Sequence, residues 1–329
     1  MRSKSSEVTS ADDLKIFLTA ALRRVVKGSI APVDSPINTI STGGELVEIV
    51  DDRGRRLGTI RFEPASPGHI DLRLPAAKKE EFRADFCREI ARLEKWAADL
   101  SWAGSSIPLY EVVVSDRYHI SKSLVPAWSG RAGHMEFPAR RVVVRKAAIL
   151  HELVHVLFPS GNRFLAEGLA VYLQAAMGGN PAFPNFGKPL HDNVRERLVE
   201  IAPAVVCGEK QNLELIHLAE LDTIATPSPL TLRVGHDVFG EDKRGQAFIY
   251  PIVGSFVQFL VETRGVHMFR AVYLRTPLVP LMQNAGSPER WMDVYGVPFK
   301  ELEREWKAMI LDGFPASHSS EAFADRISA

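Results

Sequence analysis

The segment that most restricts the fold is Lys146–Phe158, an aliphatic run in which His151, Glu152 and His155 are the only polar side chains after the lysine. Helical geometry puts residues four apart on one face, one turn from each other. Two imidazoles so placed can reach one metal ion, and Glu152, next to the first, can touch a water on that ion without ligating it. For the ten histidines of this chain, chance supplies a His-Glu-x-x-His spacing roughly 0.02 times. Burying two imidazoles and a carboxylate without partners costs several kcal/mol, so the surrounding aliphatic residues favour a ligand set. Pro159 and Gly161 end the helix.

A second apolar helix is expected over Arg163–Leu173, with Glu167 as its lone carboxylate. A buried, unpaired carboxylate needs a cation. A zinc ion held with His151 and His155 would serve, as would a salt bridge to a buried arginine. Gly168 removes a side chain where the two helices must approach closely, and Pro159–Asn162 is a connection tight enough to fold the second helix back on the first.

His151-Glu152-x-x-His155 together with Ala166-Glu167-Gly168-Leu169-Ala170 resembles the gluzincin zinc peptidases, the superfamily of thermolysin and aminopeptidase N. Tyr250–Leu260, Gly265–Arg270 and Tyr295–Trp306 are similar to the C-terminal helices of small bacterial gluzincin-like proteins, so the resemblance spans roughly 105–312. It implies an α+β fold, with a small mixed sheet and the His-Glu-x-x-His helix followed by a mainly helical C-terminal lobe. It also implies one zinc per chain on His151, His155 and Glu167, and peptide hydrolysis with Glu152 as general base. Only eleven residues separate His155 from Glu167, which abbreviates the loop that shapes part of the cleft in thermolysin and aminopeptidase N. The metzincin pattern is excluded, because Gly161 stands where its third histidine would be.

Tyr250, ahead of Pro251 at the expected start of a helix, matches the tyrosine that stabilises the oxyanion in relatives; a tyrosine simply packed there is the alternative. His236 and His191 are the next candidates. Gly133-His134-Met135-Glu136 is similar to the segment with which aminopeptidase-N-like enzymes bind a free amine, which makes Met135 and Glu136 candidate substrate-binding residues, although Phe137 replaces the final Asn. The other reading makes His134–Val144 an edge strand, β-branched at Val142–Val144, to which an extended peptide adds. That reading favours an endopeptidase over an aminopeptidase. A non-catalytic binding or regulatory protein on this scaffold, or a zinc hydrolase of a non-peptide amide or ester, remain the alternatives.

Forty Lys+Arg balance forty Asp+Glu, so no bulk charge draws the chain to nucleic acid or an anionic membrane. Cys87 and Cys207 lie far apart without a Cys-x-x-Cys spacing, which excludes a disulfide framework and fits a reducing, cytoplasmic location. No apolar run approaches the roughly 20 residues of a membrane span, and the one near the start reads as a helix face within Leu14–Val25, not a signal peptide. Alternation predicts antiparallel strands within 45–74 and further strands at Tyr110–Val114 and Arg141–Val144; helical spacing predicts a long helix over Glu80–Trp102 that packs across a sheet. The organisation expected is an α+β region over 1–100, the metal-binding subdomain over 101–178, a Gly/Pro-rich link at 178–189 opening a helical lobe to 313, and a flexible tail.

Overall fold

The computed structural model describes residues 44–64, 74–104, 107, 109–124, 133–201, 213, 216–222, 232–234, 237–239, 243–276 and 286–312. The helix expected at Leu14–Val25, the strand segment at 70–73, Cys207, His236 and the C-terminal tail lie outside them.

β1 (Glu45–Val50) and β2 (Arg56–Phe62) form the expected antiparallel hairpin. Asp51 builds its turn by accepting from the Arg53 and Arg55 backbone N–H groups at 3.0 and 2.8 Å, the side-chain-to-backbone bonding that suits aspartate to turns. Parallel strands need a long crossover, and α1 (Ala76–Asp99) supplies it between β2 and the parallel β3 (Tyr110–Ser115). β4 (Lys122–Ser123) and β5 (His134–Pro138) complete a mixed five-stranded sheet in the order β1-β2-β3-β5-β4, with only β1 and β4 antiparallel to their neighbours. Central β3 is buried along most of its length, as a parallel strand covered on both faces must be. α1 packs across the sheet as expected: Phe82 meets Phe62 and Phe137 at ring distances of 6.3 and 5.4 Å, and Phe86 meets Tyr110 at 5.9 Å.

Two expectations about this region fail. Residues 141–144 are not a strand: α2 (Ala139–Val143) starts directly after Pro138, whose φ of −67° and missing N–H suit a helix start. The β-branched run has only a weak intrinsic preference, and burial of Ala139 and Val142 under the sheet overrides it. Nor is β5 the edge, because β4 pairs outside it through Lys122 with Glu136 and Ser123 with Met135.

The rest is helical apart from a two-stranded sheet, β6 (Leu232–Val234) with β7 (Asp237–Phe239). α3 (Ile149–Leu157), α4 (Arg163–Met177), α5 (Leu190–Ile201), α6 (Leu218–Asp222), α7 (Lys243–Arg264), α8 (Val266–Leu274), α9 (Glu289–Tyr295) and α10 (Phe299–Asp312) follow in chain order. α7 packs along α4, α5 and α8. Its crossing with α4 is close: a Cβ on Gly168 would stand 2.6 Å from Val257, and one on Gly254 would stand 2.3 Å from Val171. Gly168 therefore admits α7 and not, as expected, α3. Phe164, Phe256, Trp291, Phe299 and Trp306 form the aromatic core beneath this crossing, with Trp291 and Phe299 rings 4.7 Å apart.

Tyr250 is likewise not at a helix start. Pro251 lies inside α7, where it removes one ladder hydrogen bond at a cost of about 3 kcal/mol. The burial of Ile249, Ile252, Val253 and Phe256 offsets that cost, at about 1.5–3 kcal/mol for each large apolar side chain. Among the described residues, no helix is long and apolar enough to cross a membrane.

Candidate metal centre

α3 carries His151 and His155 on the face that meets α4, and α4 brings Glu167 to them. His155 Nε2 stands 3.1 Å from His151 Nε2, and Glu167 Oε2 stands 3.2 and 3.4 Å from those two nitrogens. The three side chains retain 8%, 13% and 3% exposure respectively for His151, His155 and Glu167. Ligand atoms about 2.0–2.1 Å from a tetrahedral zinc stand about 3.3–3.4 Å apart, so the triangle has the size of one face of such a site. Glu167 Oε2 is buried and has no aligned hydrogen-bond donor despite both imidazoles nearby. The set of two imidazoles and a carboxylate is the donor set that zinc takes in a catalytic site. The residues present therefore fit the ion, while His151 Nδ1, also buried, meets no carbonyl or carboxylate among the described residues that would orient the ring.

The salt-bridge alternative for Glu167 is also present, on the other oxygen. Arg163, one helical turn earlier, lies 3.2 Å from Oε1. Burial pushes the Glu167 carboxyl up, but the facing His155 and Arg163 outweigh it and hold it well below the usual carboxylate range.

Several contacts fix these helices. Asn162 caps α4 by accepting from Leu165 N–H at 3.1 Å, and its amide donates to Asp222. Gln174 accepts from the His151 backbone N–H at 3.3 Å, tying the uncapped start of α3 to α4. Tyr273 donates to the Phe158 carbonyl at 2.5 Å, and Phe158 packs between Trp96 and Trp102 at ring distances of 5.8 and 5.2 Å. The short α3–α4 connection is thereby anchored by α8 and by the end of α1.

The triangle lies in a cleft of about 490 Å³, lined also by Glu152, Tyr250, Ser123, Phe183 and Phe186. Glu152 is buried, which pushes its carboxyl up, and it accepts a hydrogen bond from the Ser123 hydroxyl on β4. The Tyr250 ring lies nearly parallel to that of His151, 6.1 Å away and inclined by 15°. No family model matches this chain, and no curated protein matches it.

Of the other candidates, Met135 is fully buried in the core and Glu136 contacts His134 at 3.2 Å and Lys122 at 3.9 Å; neither lines the cleft. His191 is turned away, with Nδ1 2.8 Å from Ser255 Oγ and Nε2 3.5 Å from Glu262. Cys87 is half-buried, and burial raises its thiol pKa. Ser123, Phe183, Phe186, Arg140, Arg141 and Lys146 all line the cleft without a local motif that marks them. The stretch at 178–189, expected as a link, folds back to form a wall with Phe183 and Phe186, and Asn180 is bonded to Gln174 and Ala147. Gln174 had a readable signal: it is polar in an apolar helix and seven residues, two turns, beyond Glu167.

Proposed function

We propose that this chain is a zinc-dependent peptide hydrolase of the gluzincin type, with zinc held by His151, His155 and Glu167. The observation that carries the reading is the 3.1–3.4 Å triangle of ligand atoms with buried Glu152 in the same cleft. When bound, zinc polarises a carbonyl and lowers the pKa of a water it holds. Glu152 would accept a proton on a carboxylate oxygen from an attacking water and pass it to the leaving amine, while the Ser123 hydroxyl holds the carboxylate in position. Tyr250 donates a hydrogen bond to the oxyanion from the His151 side of the cleft.

An extended peptide adds its backbone to β4, the antiparallel strand at the sheet edge whose Lys122 and Ser123 line the cleft. Phe183 and Phe186 also line the cleft and limit the water in it. Endoproteolysis is the better reading. Glu152 and Glu167 are the only carboxylates among the described residues lining the cleft, and an aminopeptidase needs another to hold the substrate's ammonium group.

Metal analysis and peptide hydrolysis on Glu152→Gln test this reading together. The variant should keep one zinc per chain and lose turnover by about 100- to 10,000-fold. Loss of the metal would make Glu152 a ligand, and stoichiometric zinc in a His151→Ala, His155→Ala double variant would overturn the ligand set.

A further inference from the structure

The charge around the cleft is unlike that of the rest of the molecule. Over the whole chain, forty basic side chains balance forty acidic ones, and the exposed cations mostly sit beside an acid. Lys95 pairs with Asp99 at 2.7 Å, Arg117 with Glu63 at 2.7 Å, Lys188 with Glu196 at 2.5 Å and Arg264 with Glu305 at 2.5 Å. Among the described residues, the cleft is lined by Lys122, Arg140, Arg141, Lys146 and Arg163 against only Glu152 and Glu167. Arg163 is matched to Glu167. The others are not matched in this way: Lys122 reaches Glu136 only at 3.9 Å, Arg140 donates to the His119 carbonyl, and Lys146 stands over the Phe186 ring at 5.7 Å. Arg141 makes no ion pair or side-chain hydrogen bond among the described residues.

We infer that this cleft selects peptides with carboxylates beside the scissile bond, and that Arg140, Arg141, Lys146 and Lys122 hold them. The inference rests on the cleft being the peptide site proposed above. Clustered like charges repel, and that cost is recovered only when an anion sits among them. All four cations come from β4, α2 and the α2–α3 connection, whereas Phe183, Phe186 and Tyr250 supply aromatic lining, with Lys146 over the Phe186 ring. A substrate side chain in this cleft thus meets cations together with aromatic rings. The arginine fork matches a carboxylate with two parallel hydrogen bonds. A nucleic acid offers anions too, but it has no strand edge to pair with β4.

The test measures binding to the zinc-loaded Glu152→Gln full chain, which separates recognition from turnover. Two fluorescein-labelled peptide pools are compared, identical except that one carries Glu where the other carries Gln, both acetylated and amidated. The Glu pool should bind about 10- to 100-fold more tightly, with the preference shrinking as salt rises. Arg141→Gln with Lys146→Gln should abolish the preference, Arg141→Lys, which keeps the charge and loses the fork, should retain part of it, and Lys95→Gln on α1 should leave it unchanged. A Gln pool left unamidated distinguishes the source: tight binding there assigns the cations to a terminal carboxylate, weak binding to side chains. Equal affinity of the Glu and Gln pools, or equally tight binding of a single-stranded oligonucleotide of matched charge, would overturn the inference. If wild-type protein cleaves both pools equally while binding them equally, the hydrolase reading stands and this one falls. If it binds the Glu pool selectively yet cleaves neither, the reverse holds.

Discussion

Glu167 and Asp222 are buried to the same degree, with 3% and 4% of their side chains exposed, and both act on α4: Glu167 projects from it, while Asp222 holds its cap residue Asn162. Their surroundings differ. Asp222 Oδ1 accepts from Arg290 at 2.5 Å and from Asn162 at 3.1 Å, and Oδ2 accepts from Trp291 Nε1 at 2.8 Å. Burial raises its carboxyl pKa, and those three donors pull it part of the way back. Glu167 has Arg163 on one oxygen and, on the other, two imidazoles without an aligned hydrogen bond. One carboxylate is satisfied by protein donors and locks a helix start. The other stands 3.2 and 3.4 Å from two imidazole nitrogens. Burial alone marks both; the donors around each carboxylate tell them apart.

The sharpest way to break this contrast is Asp222→Ala. Removing one partner of a buried pair leaves Arg290 uncompensated, and stability should fall by about 3–5 kcal/mol in denaturant unfolding. A change within error would remove Asp222 from the framework of α4. Tyr250→Phe comes next and acts on rate alone: turnover should fall about 100- to 1,000-fold, about 2.7–4 kcal/mol, with the melting temperature held. Tyr273→Phe is its counterpart, because its hydroxyl serves the Phe158 carbonyl; it should cost about 1 kcal/mol of stability. Interchanged outcomes would reassign the two tyrosines.

Zinc at a hundredfold its dissociation constant should stabilise the wild type by about 2.7 kcal/mol, reversibly on chelation. Glu167→Gln should lose most of that increment, whereas Gln174→Ala, which bonds the α3 backbone and the Asn180 carbonyl and none of the three ligand atoms, should keep it. An equal zinc increment in Glu167→Gln would discard Glu167 as a ligand. A further variant tests the crossing behind the site. Gly168→Ala forces a methyl into Val257 and should destabilise by about 1–3 kcal/mol. No loss would mean that α4 and α7 part without cost.

Much of this was legible because it depends on short-range periodicity. The 45–62 hairpin, the long helix across the sheet and the two helices that carry His151, His155 and Glu167 all follow from spacings within a dozen residues. The failures share another cause. Val142–Val144 looked like a strand because β-branching is a local preference, yet Pro138 and burial under the sheet made α2. Pro251 looked like a helix start because proline usually marks one, yet packing carries α7 through it. Gly168 was read correctly as a point of close approach but assigned to the wrong partner, since a glycine does not say which helix comes near.

The sequence by itself determined that His151 and His155 share a face with Glu152 between them, and that Glu167 is a lone carboxylate in an apolar helix. The helical repeat and the cost of burying unpaired polar groups are properties of the chain read locally. Only the tertiary structure decided that Glu167 Oε2 meets those imidazoles while Oε1 takes Arg163, that Ser123 reaches Glu152 from β4, and that cations from 122–146 face aromatic rings from 183–250. Apart from the Arg163–Glu167 pair, one turn along α4, those contacts join residues a dozen or more positions apart on different elements. Their distances are set by how the sheet, α1 and α7 pack, and by no spacing along the chain.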